Sequence, residues 1–257
     1  MVATREGVVY HRLDARRLHE GIVRQIARQI IGGALAPDTL LPPEPALAAQ
    51  FGVSRTVVRE AVRVLEARGL VAVKHGSGVR VQPPECWDRL DPYVVFEWVC
   101  HTRDPRLLDE LLEVRRLVEG EAVALAAVRH TEDDLSALSS MLQGMQTTLH
   151  DPDAYSRLDS TFHDRLLKAA KNRMLAELMR PVRPLLDAGR LITSRQIGLL
   201  AASQHGHEEI YHAVRARDPE EAREAMQRHI AQFEQDIKRA LLDQHSELEW
   251  ERLRFLK

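Results

Sequence analysis

Aromatic residues are scarce in this chain, at 5% of 257 residues, and there are only two cysteines, Cys86 and Cys100. The shortage of aromatics, beside abundant Leu, Ala, Arg and Glu, argues against a sheet-rich core and for helix. Two cysteines with no CxxC pair, and no signal-peptide pattern in MVATREGVVYHRL, point to a reducing cytoplasm. No apolar run approaches the roughly 20 residues that span a bilayer, so a membrane role is not expected. Internal repeats and low-complexity tracts are also missing. What is present is an ordinary globular composition, 44% hydrophobic and 29% charged, long enough for one large domain or two modest ones.

The formal net charge of −2 hides an asymmetry. Residues 1–84 hold 12 Lys and Arg against 7 Asp and Glu, whereas the remainder holds 24 against 31. A basic N-terminal third on an acidic body suggests different partners for the two parts, and nucleic acid is the usual partner of a basic one.

Along the chain, DARRLHEGIVRQIARQIIGG reads as an amphipathic helix with Ile22, Val23, Ile26 and Ile30 as its stripe and Gly32-Gly33 as its stop. LLPPEP leads into a short helix, ALAAQF, then a tight turn at Gly52. Ser54 stands at the N-cap of a longer helix, RTVVREAVRVLEAR, closed by Gly69. LVAVKHGSGVRVQP then reads as a two-stranded hairpin. From about residue 83, PPECWDRLDP is a plausible linker, and everything beyond it is helical. The helices are expected at 107–129, 132–149, 153–171, 173–193 with kinks at Pro181 and Pro184, 199–217 and 219–243. The expected fold is mainly α, with an N-terminal winged helix-turn-helix over 1–82 and a linker with a first short helix over 83–104. An all-α antiparallel bundle follows over 105–257.

On the second helix of the helix-turn-helix, Val58, Ala61, Val62 and Leu65 form a buried stripe. Arg55, Arg59 and Arg63 recur at four-residue steps beside it. Guanidinium groups there can donate two hydrogen bonds to guanine or clamp a phosphate. A solvated basic face would look the same in isolation. The stretch LLPPEPALAAQFGVSRTVVREAVRVLEARGLVAVKHGSGVRV resembles the DNA-binding domain of the GntR family of bacterial transcription regulators. The LP-x-E-x-x-LA opening, the GVSR-T-x-VREA core, the L-x-x-x-GL exit and the G-x-G-x-x-V wing carry the likeness. The resemblance implies operator contacts by Arg55 and Arg59, phosphate contacts by Ser54 and Thr56, and a wing tip at His75 and Gly76 in the minor groove. Two departures stand out: Pro45 follows Glu44 where relatives often carry Arg, and Asp38 occupies a place where Gly is common.

Four polar residues fall on apolar helix faces in the second half. Asp159 and His163, four apart, share a face with Phe162 and Leu166. His207 lies three before Ile210, and His229 lies three after Met226 and four before Phe233, whereas His205 faces water. One carboxylate and three imidazoles directed into one bundle core must either satisfy each other or hold something. Divalent zinc, nickel or manganese accepts such a set, zinc first; separate hydrogen bonds for each imidazole are the alternative. Arg115 also falls on an inward face, where it would bind a carboxylate ligand or pair with Glu119 or another acid. Arg116 is expected at the solvent.

This half is similar to the FCD ligand-binding domain of the fatty-acid-regulator branch of GntR proteins. The likeness rests on LLEVRRLVEGEAVALAA, D-x-x-F-H followed by AAKN, H-x-x-I-x-x-A-x-x-A-R-D from His207, and A-x-x-x-M-x-x-H-I ending at Ile230. The resemblance implies a metal held by Asp159, His163, His207 and His229, and Arg115 as an effector-binding candidate. LDPYVVFEWV and DPRLLDELLEVR look most like the sugar-acid-responsive members. The expectation is a homodimeric repressor on an inverted-repeat double-stranded DNA operator, released by a sugar acid or other small organic acid, without catalysis. A metal-ion sensor is an alternative. A metal-dependent hydrolase or lyase is disfavoured, because no HExxH is present and no second carboxylate is evidently placed as a general base.

Overall fold

Ile22, Val23, Ile26, Ala27 and Ile30 are all buried, so the first helix forms with its apolar stripe against the rest of the N-terminal unit. In the computed structural model, residues 15–74, 76–102, 105–196 and 198–242 are described. The chain divides into two compact units, residues 1–89 and 90–257.

The N-terminal unit runs α1 (Ala15–Ile31), α2 (Glu44–Phe51), α3 (Arg55–Ala67), β1 (Val71–Lys74) and β2 (Gly78–Val81), then one 3₁₀ turn at Pro84–Cys86. α3 packs on α1 through Val58, Ala61, Val62 and Leu65, all buried. Gly52 ends α2 in the left-handed conformation, φ +65°, and its N–H donates to Ala48 O. Ser54 Oγ caps α3 by accepting from Val57 N. β1 and β2 pair antiparallel, with Val71 opposite Val81 and Lys74 opposite Gly78.

Residues 38–41 add a short third rung to this hairpin. Asp38 N donates to Val81 O, Val81 N to Thr39 O and Leu41 N to Val79 O. Asp38 takes φ +66°, a conformation that Asp tolerates better than most side chains, which explains how it replaces the common Gly. At Gly69 the need is absolute: a β-carbon there would lie 2.0 Å from Cys86 O, at φ +69°.

The second unit is built from α4 (Pro92–Thr102), α5 (Pro105–Arg129), α6 (Glu132–Thr147), α7 (Pro152–Ala169), α8 (Arg173–Met179), α9 (Arg183–Ser194), α10 (Leu199–Arg215) and α11 (Pro219–Leu242). Starts are marked by local chemistry. Thr131 and Asp134 form a reciprocal capping box on α6, Asp151 caps α7 and Asn172 caps α8. α5 packs on α7, α10 and α11 around Leu138, Met145, Tyr155, Phe162, Leu166, Ile210, Met226 and Ile230. The fold is therefore mainly helical with a small two-stranded wing. One expectation fails in detail: 173–193 is two helices, not one kinked helix. Pro181 lies between them and Pro184 opens the second, because a proline ring and its missing N–H break the ladder. The position 243, expected in the last helix, lies outside the described residues.

Candidate metal centre and nucleic-acid interface

On α3, Arg55, Thr56, Arg59 and Arg63 are exposed, together with the cap residue Ser54. The buried stripe of α3 turns this face outward, as the four-residue spacing requires. Arg59 is not loose: its Nε donates to Glu44 Oε2 at 2.7 Å, tying it to the start of α2. Arg63 Nη1 donates to Glu60 Oε1, also at 2.7 Å. Gly76 is exposed at φ +77°, in the turn between β1 and β2. His75 lies outside the described residues.

In the bundle, Asp159 and His163 come from α7, His207 from α10 and His229 from α11. All four are buried. Ring centroids lie 4.2 Å apart for His207 and His229, 5.3 Å for His163 and His229, and 5.4 Å for His163 and His207. One ligand nitrogen from each falls within 4.8 Å of the other two. Asp159 Oδ1 is 3.5 Å from His163 Nε2 and 3.6 Å from His207 Nε2. These residues are therefore brought together, and His205, exposed beside Glu209, is excluded from the group.

The donor set fits a divalent ion on two observations. His163 Nε2 and both ring nitrogens of His207 are buried without a hydrogen bond in the protein, a costly state for polar atoms left alone. Two of the imidazoles, His163 and His229, are also held towards the neutral form that ligates. Burial pushes His163 down to about 4, and burial followed by the neighbouring His207 and His163 holds His229 well below its usual value. Burial alone would raise the Asp159 carboxyl, but Arg190, then His207, outweigh it and keep it ionised. Three histidines placed this way can hold a metal ion.

Sequence reasoning did not place Glu119, Arg190 or Gly206 at the cluster. Glu119 of α5 lies 3% exposed with one oxygen 2.6 Å from His163 Nδ1 and the other accepting from Arg115 Nε at 3.1 Å. Burial would raise its carboxyl, yet Arg115, then His163, hold it well below the usual range. A second carboxylate thus stands beside the cluster, although the sequence pointed to none placed as a general base. Glu119 is engaged on both sides, so it is not a free general base. Arg190 of α9 is buried with its Nε 2.8 Å from Asp159 Oδ1. The clue was available, since Arg190 sits on a helix face with Leu186, four residues before it. Gly206 was also overlooked, although it stands between two histidines in QHGH.

Arg115 is fully buried, with Cζ 4.8 Å from the Phe233 ring centroid. Its internal pairing with Glu119 is present, but its Nη1 and Nη2 make no hydrogen bond. It lines a small cleft, partly open to solvent, together with Asp159, Arg190, His229, Gln232 and Asp236. Arg116, expected at the solvent, is instead half-buried and paired with Glu234 of α11.

The family comparisons agree with both units. Residues 18–81 match the model of the gntR family of bacterial regulatory proteins, and residues 110–232 match the FCD domain. The galactonate operon transcriptional repressor of Escherichia coli (strain K12) is 31% identical over 84% of this chain and 95% of its own length. The chain belongs to the GntR family. Another GntR-type relative, the HTH-type transcriptional regulator LutR of Bacillus subtilis (strain 168), is 33% identical over 80% of this chain and 94% of its own. A solved structure of Lar, described as controlling the expression of the Listeria monocytogenes agr system, shares the fold with a TM-score of 0.58 at 21% identity. It covers 90% of this chain and 99% of that one. The relatives are named as transcription regulators, so this GntR chain with its FCD domain is a DNA-binding regulator and not an enzyme. Among the described residues, no helix is long and apolar enough to cross a membrane.

Proposed function

We propose that this GntR regulator is a homodimeric, metal-dependent sensor of a small organic acid, a repressor that leaves its operator when the acid binds. The observation that carries the reading is a cluster of orphaned imidazole nitrogens on His163 and His207 beside a cleft lined by Asp159, His229 and the orphaned guanidinium edge of Arg115. A divalent ion, zinc first with nickel or manganese as alternatives, would be held by Asp159, His163, His207 and His229, and would offer Lewis acidity to a ligand carboxylate. Arg115 has two free guanidinium nitrogens to donate to the same carboxylate, in the forked geometry that suits it.

The rest of the cleft argues for a hydroxylated acid over a fatty one. On α11, His229, Gln232, Phe233 and Asp236 form one stripe, placing Asp236 about 10 Å along the axis from His229. Asp236 is buried, its two oxygens accept from Gln232 Nε2 at 3.0 Å each, and lone pairs remain for ligand hydroxyls. Ser203 and Thr193 line the same cleft. A sugar acid therefore suits the lining, in keeping with the similarity to a galactonate repressor.

At the operator, Arg55 and Arg59 would read base edges, Arg63, Ser54 and Thr56 would hold the backbone, and the Gly76 wing tip would enter the adjacent groove. The effector acts by binding one of two conformations more tightly, a difference of about 1–3 kcal/mol in typical allostery. Operator binding measured with ion alone and with ion plus gluconate tests the scheme. Release only when both are present supports it; release by the ion alone makes the protein a metal sensor; indifference to both removes the sensing role.

A further inference from the structure

We infer that Glu119 is the positioning residue that joins the ion site to the anion site, fixing His163 with one carboxylate oxygen and Arg115 with the other. The inference rests on the proposed metal and carboxylate reading and adds the link between its two halves.

The geometry is specific. α5 runs 25 residues beside both α7 and α11, so a side chain in its middle can reach partners on either. Glu119 Oε2 is 2.6 Å from His163 Nδ1. Held there by an anion, the ring carries its proton on Nδ1 and leaves Nε2 as the lone-pair nitrogen. That Nε2 is the atom 3.5 Å from Asp159 Oδ1, and it carries no hydrogen bond. The other oxygen, Oε1, takes Nε of Arg115. Arg115 thereby spends its one side-facing donor on Glu119 and keeps the Nη1 and Nη2 edge for a ligand. One carboxylate thus sets which nitrogen of His163 can ligate and which edge of Arg115 can bind an anion. A shift at either partner is transmitted to the other through a single rigid group, as a coupling of sites requires.

The isosteric Glu119→Gln variant separates this from an ordinary buried ion pair. An amide has one acceptor and one donor end. With its oxygen towards His163 Nδ1, its NH₂ opposes Arg115 Nε–H. Turned over, its NH₂ donates to His163 Nδ1 and forces the proton onto Nε2, which then cannot ligate. Either arrangement breaks one half.

The test uses the full chain loaded with cobalt(II), whose visible ligand-field bands report the ligands directly, with acetate as the anion probe. In Glu119→Gln the bands shift, cobalt affinity by chelator competition falls roughly 10–100-fold, and the apparent Kd for acetate at saturating cobalt rises roughly fivefold or more. Glu119→Asp, charged but too short to span both partners, gives the same pattern and replaces the Gln variant if that one loses helicity. Leu138→Ala, a packing change in the same bundle, leaves bands and acetate binding as in wild type. Cobalt affinity and bands unchanged in both Glu119 variants overturn the inference. So does a loss of cobalt affinity with acetate binding unaltered once cobalt is saturating, since Glu119 would then serve the ion alone. An unmodified protein that binds no cobalt overturns the parent reading as well.

Discussion

Gly206 gives His229 its place: a β-carbon on Gly206 would lie 2.9 Å from His229 Nδ1, closer than such contacts normally come. The ring has little room to shift, because the His207 ring centroid also stands only 4.2 Å away. Gly206→Ala should therefore separate two effects. Alanine favours the α10 helix by up to about 1 kcal/mol, while the displaced imidazole weakens metal binding by roughly tenfold. Thermal melting of the metal-free protein and zinc competition with a chelator read the two independently. Equal zinc affinity in both proteins would mean that His229 is not a ligand.

His207→Ala removes the fully buried imidazole whose two nitrogens make no hydrogen bond. Metal content per chain, measured by elemental analysis after dialysis, should fall well below that of wild type. Operator binding in the absence of acid should persist, because the N-terminal unit has its own core around Val58, Ala61 and Leu65. Release by the acid should be lost. Full metal occupancy in this variant would take His207 out of the site.

At the reading face, Arg59→Ala should weaken specific operator binding by about 1–3 kcal/mol per lost base contact. Glu44→Ala makes a sharper comparison. It leaves the guanidinium in place but removes its 2.7 Å tether, so specific affinity should fall less than in Arg59→Ala while non-specific binding rises slightly with the lost negative charge. Gel-shift titrations against operator and scrambled DNA, at fixed salt, distinguish the outcomes. Wild-type discrimination in Arg59→Ala would assign the reading to other residues.

Asp134 gives a pH prediction away from the metal cluster. Burial would raise its carboxyl, but Lys171 and the N–H and hydroxyl of Thr131 outweigh it and bring the pKa down to about 2. A carboxyl lowered on folding stabilises the folded state above its unfolded pKa near 3.8, and that contribution fades as pH falls through about 2. With Lys171 half exposed, solvent screening reduces the worth of the pair. Asp134→Asn should lose about 1–2 kcal/mol at pH 7 in urea titrations. The difference from wild type should shrink steadily between about pH 4 and pH 2. A constant difference across that range would mean that the loss does not come from the ionised carboxylate.

Much of the fold was readable because helices of this length announce themselves by period and punctuation. Gly52, Ser54 and Gly69 bracket α3, and Val58, Ala61, Val62 and Leu65 mark its inner face. The helix boundary at Pro181 was misread as a kink, since a proline alone does not say whether the chain resumes its direction. In the bundle, Asp159, His163, His207 and His229 stood out as polar groups on apolar faces, a signal local to each helix. Glu119 carried half a signal: its place four after Arg115 suggested a pair within one helix. Its contact with His163, 44 residues away, depends on how α5 lies against α7, and no single-helix pattern contains that. Arg190 had the same local mark as Arg115, but its contact with Asp159, 31 residues away, depends on how α9 lies against α7.

The rung of residues 38–41 sewn to the hairpin has a mechanical corollary. The segment that feeds α2 is hydrogen-bonded to the wing, so the wing and the foot of the helix pair are coupled through backbone bonds. In the proposed dimer, a mismatch between two such heads and an operator would fall first on the DNA or on the segments that follow Val81.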